Sequence, residues 1–206
     1  MKSWRFTGTN EPLRLEELPE PSAGPGKVVI DVKAAGICHT DVGILTDPGW
    51  MTMLGQVPVT LGHEDAGVIS AVGDGVTDFK VGDRVAICPT TSAGCPGSSF
   101  DGGFGPKIVI GTEALVRIPD EVDFVNGAAA TDAGMTSYAA VVRRGGVRRE
   151  TRSASSDLAG LAKLARGWRI CLVRKCMWLK SRRTSGRLPR NSARWTYVDP
   201  SRTSTT

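Results

Sequence analysis

The chain changes character at Gly145-Gly146, and that break limits what it can fold into. Residues 1–146 carry 11 Lys and Arg against 18 Asp and Glu, whereas residues 147–206 carry 15 against 3. The formal net charge of +5 thus conceals an acidic stretch of −7 followed by a basic one of +12. An asymmetry of that size gives the two stretches different histories or different partners. Only the acidic stretch has sustained hydrophobic patterning, and it is long enough to bury its own core. Beyond Gly146, Arg, Ser, Trp and Cys alternate with no lasting period of two or 3.6. A short amphipathic helix over 158–165 is the most the pattern there allows, and 200–206 reads as a disordered polar tail.

Within residues 1–146 most of the order is strand-like. Val28 to Val32 is apolar and β-branched between Gly26 and Gly36. Ala66 to Val72 and Arg84 to Ile87 read the same way, with turn signals at Asp74-Gly75 and Val81-Gly82-Asp83. Short strands joined by glycine turns predict a small, partly closed barrel. Thr40 or Asp41 can cap a short helix running toward Leu45. Val122 to Arg144 is helix-forming and is stopped by Gly145-Gly146.

The chemistry concentrates in two short motifs, Gly36-Ile37-Cys38-His39-Thr40-Asp41 and Leu61-Gly62-His63-Glu64, which hold both histidines of the chain. A soft thiolate and an imidazole are good zinc ligands. Taken singly, Cys38 reads equally as a buried apolar thiol and His63 as a hydrogen-bonded core residue. Five cysteines, at 38, 88, 95, 171 and 176, have no framework spacing and argue against a disulfide scaffold. No stretch is suited to secretion or to spanning a membrane, so a reducing cytoplasm is the expected setting.

These motifs and their surroundings resemble the zinc-dependent medium-chain alcohol dehydrogenases. The likeness runs through Met1 to Glu16, Val28 to Cys38, Gly62 to Ile69, Val81 to Val85, Leu115 to Asp120 and Thr131 to Tyr138. It implies a mainly β fold: a GroES-like, partly open β-barrel with short helices over 1–121. A helical start of a truncated Rossmann domain over 122–146 and a poorly ordered basic tail over 147–206 would follow. It also implies that Cys38, His63 and Asp132 ligate one catalytic zinc, although an acid at a helix start is also an ordinary cap. Glu64 would lie behind the metal or exchange onto it, and Asp41 would orient His63. Thr40 would pass a proton between substrate and solvent, and His39 would either lie near the cofactor phosphates or relay that proton. The implied substrate is a small alcohol, aldehyde or ketone, with hydride carried by NAD(P).

Many relatives carry a second, structural zinc on four close cysteines; here Cys88 and Cys95, seven apart, read as ordinary thiols. Pro48-Gly49-Trp50 and Met51 to Leu54 either line a substrate pocket or pack the barrel. Cys171 and Cys176 are given no role.

Where the family has a strand and a Gly-rich phosphate turn, the translated chain has neither. A one-nucleotide slip after Gly146, however, permits Thr-Val-Gly-Val-Ile-Gly-Leu-Gly-Gly-Leu-Gly, a dinucleotide-binding fingerprint behind a strand. A second strand ending in an acid and a helix ending follow in the same frame, so residues 147–206 read as a shifted frame. NAD(P) binding and the family's homo-oligomerisation are then not expected of the chain as translated. The other readings are a barrel domain without turnover and an enzyme that borrows its cofactor site from a partner. The basic tail permits nonspecific adhesion to nucleic acid, but no motif supports specific binding.

Overall fold

The computed structural model describes residues 1–92 and 94–146. The expectations for 147–206 lie outside the described residues. The chain divides into two units, Met1–Thr136 and Ser137–Thr206.

The first unit is mainly β. Strands β1 (Lys2–Arg5) and β2 (Arg14–Glu17) form an antiparallel pair. A five-stranded antiparallel sheet is ordered β6-β3-β4-β5-β7. Its strands are β3 (Lys27–Gly36), β4 (Glu64–Val72), β5 (Arg84–Ile87), β6 (Lys107–Gly111) and β7 (Leu115–Arg117). The long β3 sits between β4 and β6, and its pairing with β4 slips at Val29/Ile30 and again at Val32/Ala34. Such irregularities bend and twist a strand, which is how a short sheet curls toward a barrel. Val28, Ile30, Ile69, Val85, Ile87, Ile108 and Ile110 fill its inside as one apolar cluster.

A second cluster of Phe6, Ile44, Val59 and Leu61 lies beneath helix α1 (His39–Thr46). Trp50, on the short 3-10 helix Pro48–Met53, packs against this cluster with Met51 and Leu54. Trp50, Met51 and Leu54 thus contribute to packing, while Thr52 and Met53 are exposed. The cap of α1 is Cys38, two residues before Thr40 and three before Asp41, because Asp41 reaches back and its Oδ2 accepts from the Cys38 N–H at 2.9 Å. Thr40 therefore lies inside the first turn rather than at the cap.

Helix α2 (Phe124–Ala129) is capped by Asp123, whose carboxylate accepts from the Asn126 N–H at 2.7 Å. Arg84 ties this helix to the sheet. Its guanidinium donates to the carbonyls of Pro119, Asp120 and Val122 and stacks 4.7 Å from the Phe124 ring. Ala128 then buries against Ala66, Ala86 and Ile118. The helical stretch widens into a π-type turn over Ala130–Gly134 before α3 (Met135–Tyr138). The sequence signalled helix here but not the wider turn. Ala139–Arg144 is a second such turn, and Gly146 ends it with φ of 62°. Among the described residues no helix is long and apolar enough to cross a membrane.

Candidate metal centre

Three elements bring the candidate ligands together. Cys38 stands at the start of α1, just past the end of β3. His63 immediately precedes β4, and Asp132 lies in the π-type turn after α2. Their ligand atoms all fall within 4.8 Å of one another, and this is the group among the described residues that could hold a metal ion.

The spacing can be compared with what a metal requires. Cys38 Sγ is 3.6 Å from Asp132 Oδ2, and His63 Nε2 is 3.6 Å from the same oxygen. The latter is longer than an ordinary hydrogen bond. Ligand atoms around a tetrahedral zinc stand about 3.3–3.6 Å apart, given Zn–S of about 2.3 Å and Zn–N or Zn–O of about 2.0–2.1 Å. A thiol, an imidazole and a carboxylate at that spacing fit a zinc with one open position.

Two glycines make the approach possible. Gly62 has φ of 99°, and a Cβ there would come within 2.7 Å of the Phe104 ring. Gly36 pairs with Glu64 across β3 and β4, and a Cβ on it would lie 2.2 Å from Glu64 Oε2. Only glycine leaves room for that buried carboxylate beside the ligands.

The surroundings of the three ligands are charged and buried. Asp41 is 1 % exposed, and its Oδ1 lies 3.6 Å from His63 Nδ1, on the side of the ring away from Asp132. Burial alone would lower the pKa of His63, but the carboxylates of Asp132 and Asp41 outweigh it and hold the imidazole at about 11. Asp132 moves the opposite way, below its ordinary range, chiefly through His63, and Thr136 Oγ1 donates to its Oδ1 at 2.8 Å. Glu64 is buried and its pKa is raised by that burial; the Ala133 backbone hydrogen-bonds it. Thr40 Oγ1 is 3.5 Å from Cys38 Sγ, and His39 beside it is exposed.

Cys88 contacts Thr90 Oγ1 at 3.6 Å and Met135 Sδ at 3.9 Å, and Cys95 Sγ reaches the Pro96 carbonyl at 3.3 Å. Asp65 is a residue to which the sequence reading gave no role. It is fully buried, neither carboxylate oxygen has a hydrogen-bond partner among the described residues, and burial raises its pKa to about 7. Its position in the His63-Glu64-Asp65 run was the available signal, because three consecutive polar residues lead into a strand whose remaining residues, Ser70 apart, are apolar or glycine.

Comparison with known proteins bears on the fold that carries these residues. Residues 24–120 match the alcohol dehydrogenase GroES-like domain. The alcohol dehydrogenase of Geobacillus stearothermophilus is 34% identical over 150 residues, covering 64% of this chain and 44% of its own length. The (R,R)-butanediol dehydrogenase of Bacillus subtilis is 31% identical over 161 residues, covering 68% and 46%. Among solved structures, the alcohol dehydrogenase of Aeropyrum pernix superposes with a TM-score of 0.73 at 28% identity, over 84% of this chain and 57% of that one. The chain spans about half the length of the curated relatives it matches. Residues 24–120 are an alcohol dehydrogenase GroES-like domain, and the chain is similar to alcohol dehydrogenases over about half of their length.

Proposed function

We propose that this domain is the metal-binding half of a dehydrogenase that interconverts a small alcohol with its aldehyde or ketone. One zinc would sit on Cys38, His63 and Asp132. The observation that carries this reading is the spacing of the three ligand atoms, all within 4.8 Å. Zinc, when bound, supplies Lewis acidity toward an alcohol or carbonyl oxygen, which eases hydride exchange with NAD(P).

The chain's own residues supply the rest. Asp41, held by the Cys38 N–H, fixes the orientation of the His63 ring from its Nδ1 side. Thr40 Oγ1 stands next to Cys38 Sγ and carries a proton away from the reacting oxygen, with exposed His39 as the next carrier toward solvent. Glu64, kept close by Gly36, holds negative charge behind the ligands. A reducing compartment such as the cytoplasm suits a thiol in this role.

In this reading residues 147–206 come from a shifted frame, and the Gly-rich turn that would hold the cofactor pyrophosphate is encoded in the other one. The chain as translated then neither binds NAD(P) nor forms NAD(P)H from an alcohol, and restoring the frame after Gly146 recovers both. Sequencing through the Gly145 codon and calorimetry on the two products test this.

The metal test is direct. Protein purified natively from zinc-supplemented medium should hold one zinc, and Cys38→Ser or His63→Ala should abolish it. Zinc-free wild-type protein would sink the reading. Two zinc ions would mean that Cys88 and Cys95 take part in a second site.

A further inference from the structure

We propose that Arg5 and Asp101 form a clamp that positions His63 for metal binding, working through the main chain of Thr60 to Gly62; the inference rests on the zinc reading above. Arg5 is only 8 % exposed although it lies in β1, well away in sequence from any ligand. Its Nη1 donates to Asp101 and, at 3.1 Å, to Thr60 Oγ1, while Nη2 donates to the Pro58 carbonyl at 2.7 Å. Asp101 Oδ1 also accepts from the Thr60 N–H at 2.9 Å, so one carboxylate oxygen joins the guanidinium to the backbone. Ser3 Oγ closes the group at 2.9 Å from Thr60 Oγ1.

The grip continues residue by residue toward the ligand. Gly102 N–H donates to the Thr60 carbonyl at 2.7 Å, Phe104 N–H to Leu61 at 2.8 Å and Gly103 N–H to Gly62 at 3.1 Å. Every carbonyl from Thr60 to Gly62 is thereby fixed by the segment that begins at Asp101, and His63 is the next residue. Cys38 and Asp132 are seated differently: Cys38 caps α1 with its N–H donating to Asp41, and Asp132 lies in the π-type turn after α2 and accepts from Thr136. Arg5 is buried and Asp101 partly exposed; among the described residues Arg5 Nε has no hydrogen-bond partner and stands 3.9 Å from Glu16 Oε2, so the grip is made by the charge-assisted bonds of the two Nη nitrogens.

The test uses the full chain. Asp101→Ala should weaken cobalt(II) binding, followed by its thiolate absorption, by about tenfold or more, the size expected when a ligand loses its outer support. In metal-free protein it should also move the imidazole resonances of His63, which are simple to follow because the chain has two histidines. Asp101→Asn keeps an acceptor for the Thr60 N–H and should recover most of the loss. Ile110→Ala, a core change on β6 chosen to cost similar thermal stability, should shift neither readout. An Asp101→Ala protein that melts earlier yet keeps wild-type cobalt affinity and unmoved His63 resonances overturns the clamp. Failure of wild-type protein to bind cobalt would instead defeat the zinc reading, and the resonances alone would then decide the clamp. Should Asp101→Ala not fold, Thr60→Val removes the hydroxyl part of the grip and must move the same two readouts for the proposal to stand.

Discussion

The middle of the sheet and its corner at Gly36 and Glu64 are parts of the same strands built on opposite terms. In the middle, Ile30, Ile69, Ile87 and Ile108 bury apolar surface and nothing else. At the corner, Asp41, Glu64, Asp65 and His63 are all buried, with Asp132 beside them. Four carboxylates face one imidazole there. Buried charge costs free energy unless it is paired or coordinates a metal. The middle therefore stabilises the domain, and the corner's charges cost stability unless a cation or a proton offsets them.

The largest effect should come from the middle. Ile30 is fully buried in the main cluster, so Ile30→Ala should cost about 2–5 kcal/mol through lost transfer energy and a residual cavity. Urea unfolding measures it. The folded fraction should still take up one zinc with unchanged affinity. A fall in affinity as large as that in stability would show that the two regions are not separable.

The two regions also differ in how far the sequence revealed them. Cys38 and His63 were legible because each sits in a short glycine-flanked motif. The strands β3 and β5 were legible because apolar, β-branched runs end at turn residues. Asp132 carried no local signal beyond a helix-cap position; family resemblance alone pointed to it, and the wider turn that aims it has no simple residue pattern. β6 has three apolar residues between Lys107 and Gly111, too few for a period to be read. The link between Arg5 and Asp101 spans 96 positions, and a contact of that range leaves no trace in spacing.

The corner should respond to metal. A ligand that binds only the folded chain stabilises it by about 2.7 kcal/mol at a hundredfold excess over its Kd. Chelation should therefore lower the melting temperature of zinc-loaded protein and leave Cys38→Ser unchanged. The pH dependence has opposite signs in the two states. His63 is raised in the metal-free fold to about 11, so its contribution is full below the unfolded value of 6.5 and fades as pH rises toward 11. Metal needs the neutral ring and the Cys38 thiolate, so binding releases the protons of both and tightens as pH rises, by about tenfold per pH unit for each proton released. The melting difference between loaded and chelated protein should widen from pH 6.5 to 8.5. A constant difference would mean that neither the ring nor the Cys38 thiol gives up a proton when metal arrives.

The smallest effect belongs to a pair on the sheet that resembles the corner only in being charged. Asp31 on β3 and Lys107 on β6 are register partners, with Lys107 Nζ 2.8 Å from Asp31 Oδ1. The Lys107 hydrogen bond holds the Asp31 carboxyl below its ordinary pKa, and the lysine is raised in turn. Unlike the corner, both groups are open to water, with side-chain exposures of 37% and 26%. Screening leaves such a pair about 0.2–1 kcal/mol. Because the folded pKa is depressed, the contribution of Asp31 is present above the ordinary carboxylate range and lost as pH falls through the folded value. Asp31→Asn should therefore lower stability slightly at neutral pH, less so in high salt, and not at all once acid has protonated the wild-type carboxyl. Urea midpoints at two ionic strengths resolve this. A cost above about 2 kcal/mol, insensitive to salt, would place Asp31 with the buried charges of the corner rather than with the solvated surface.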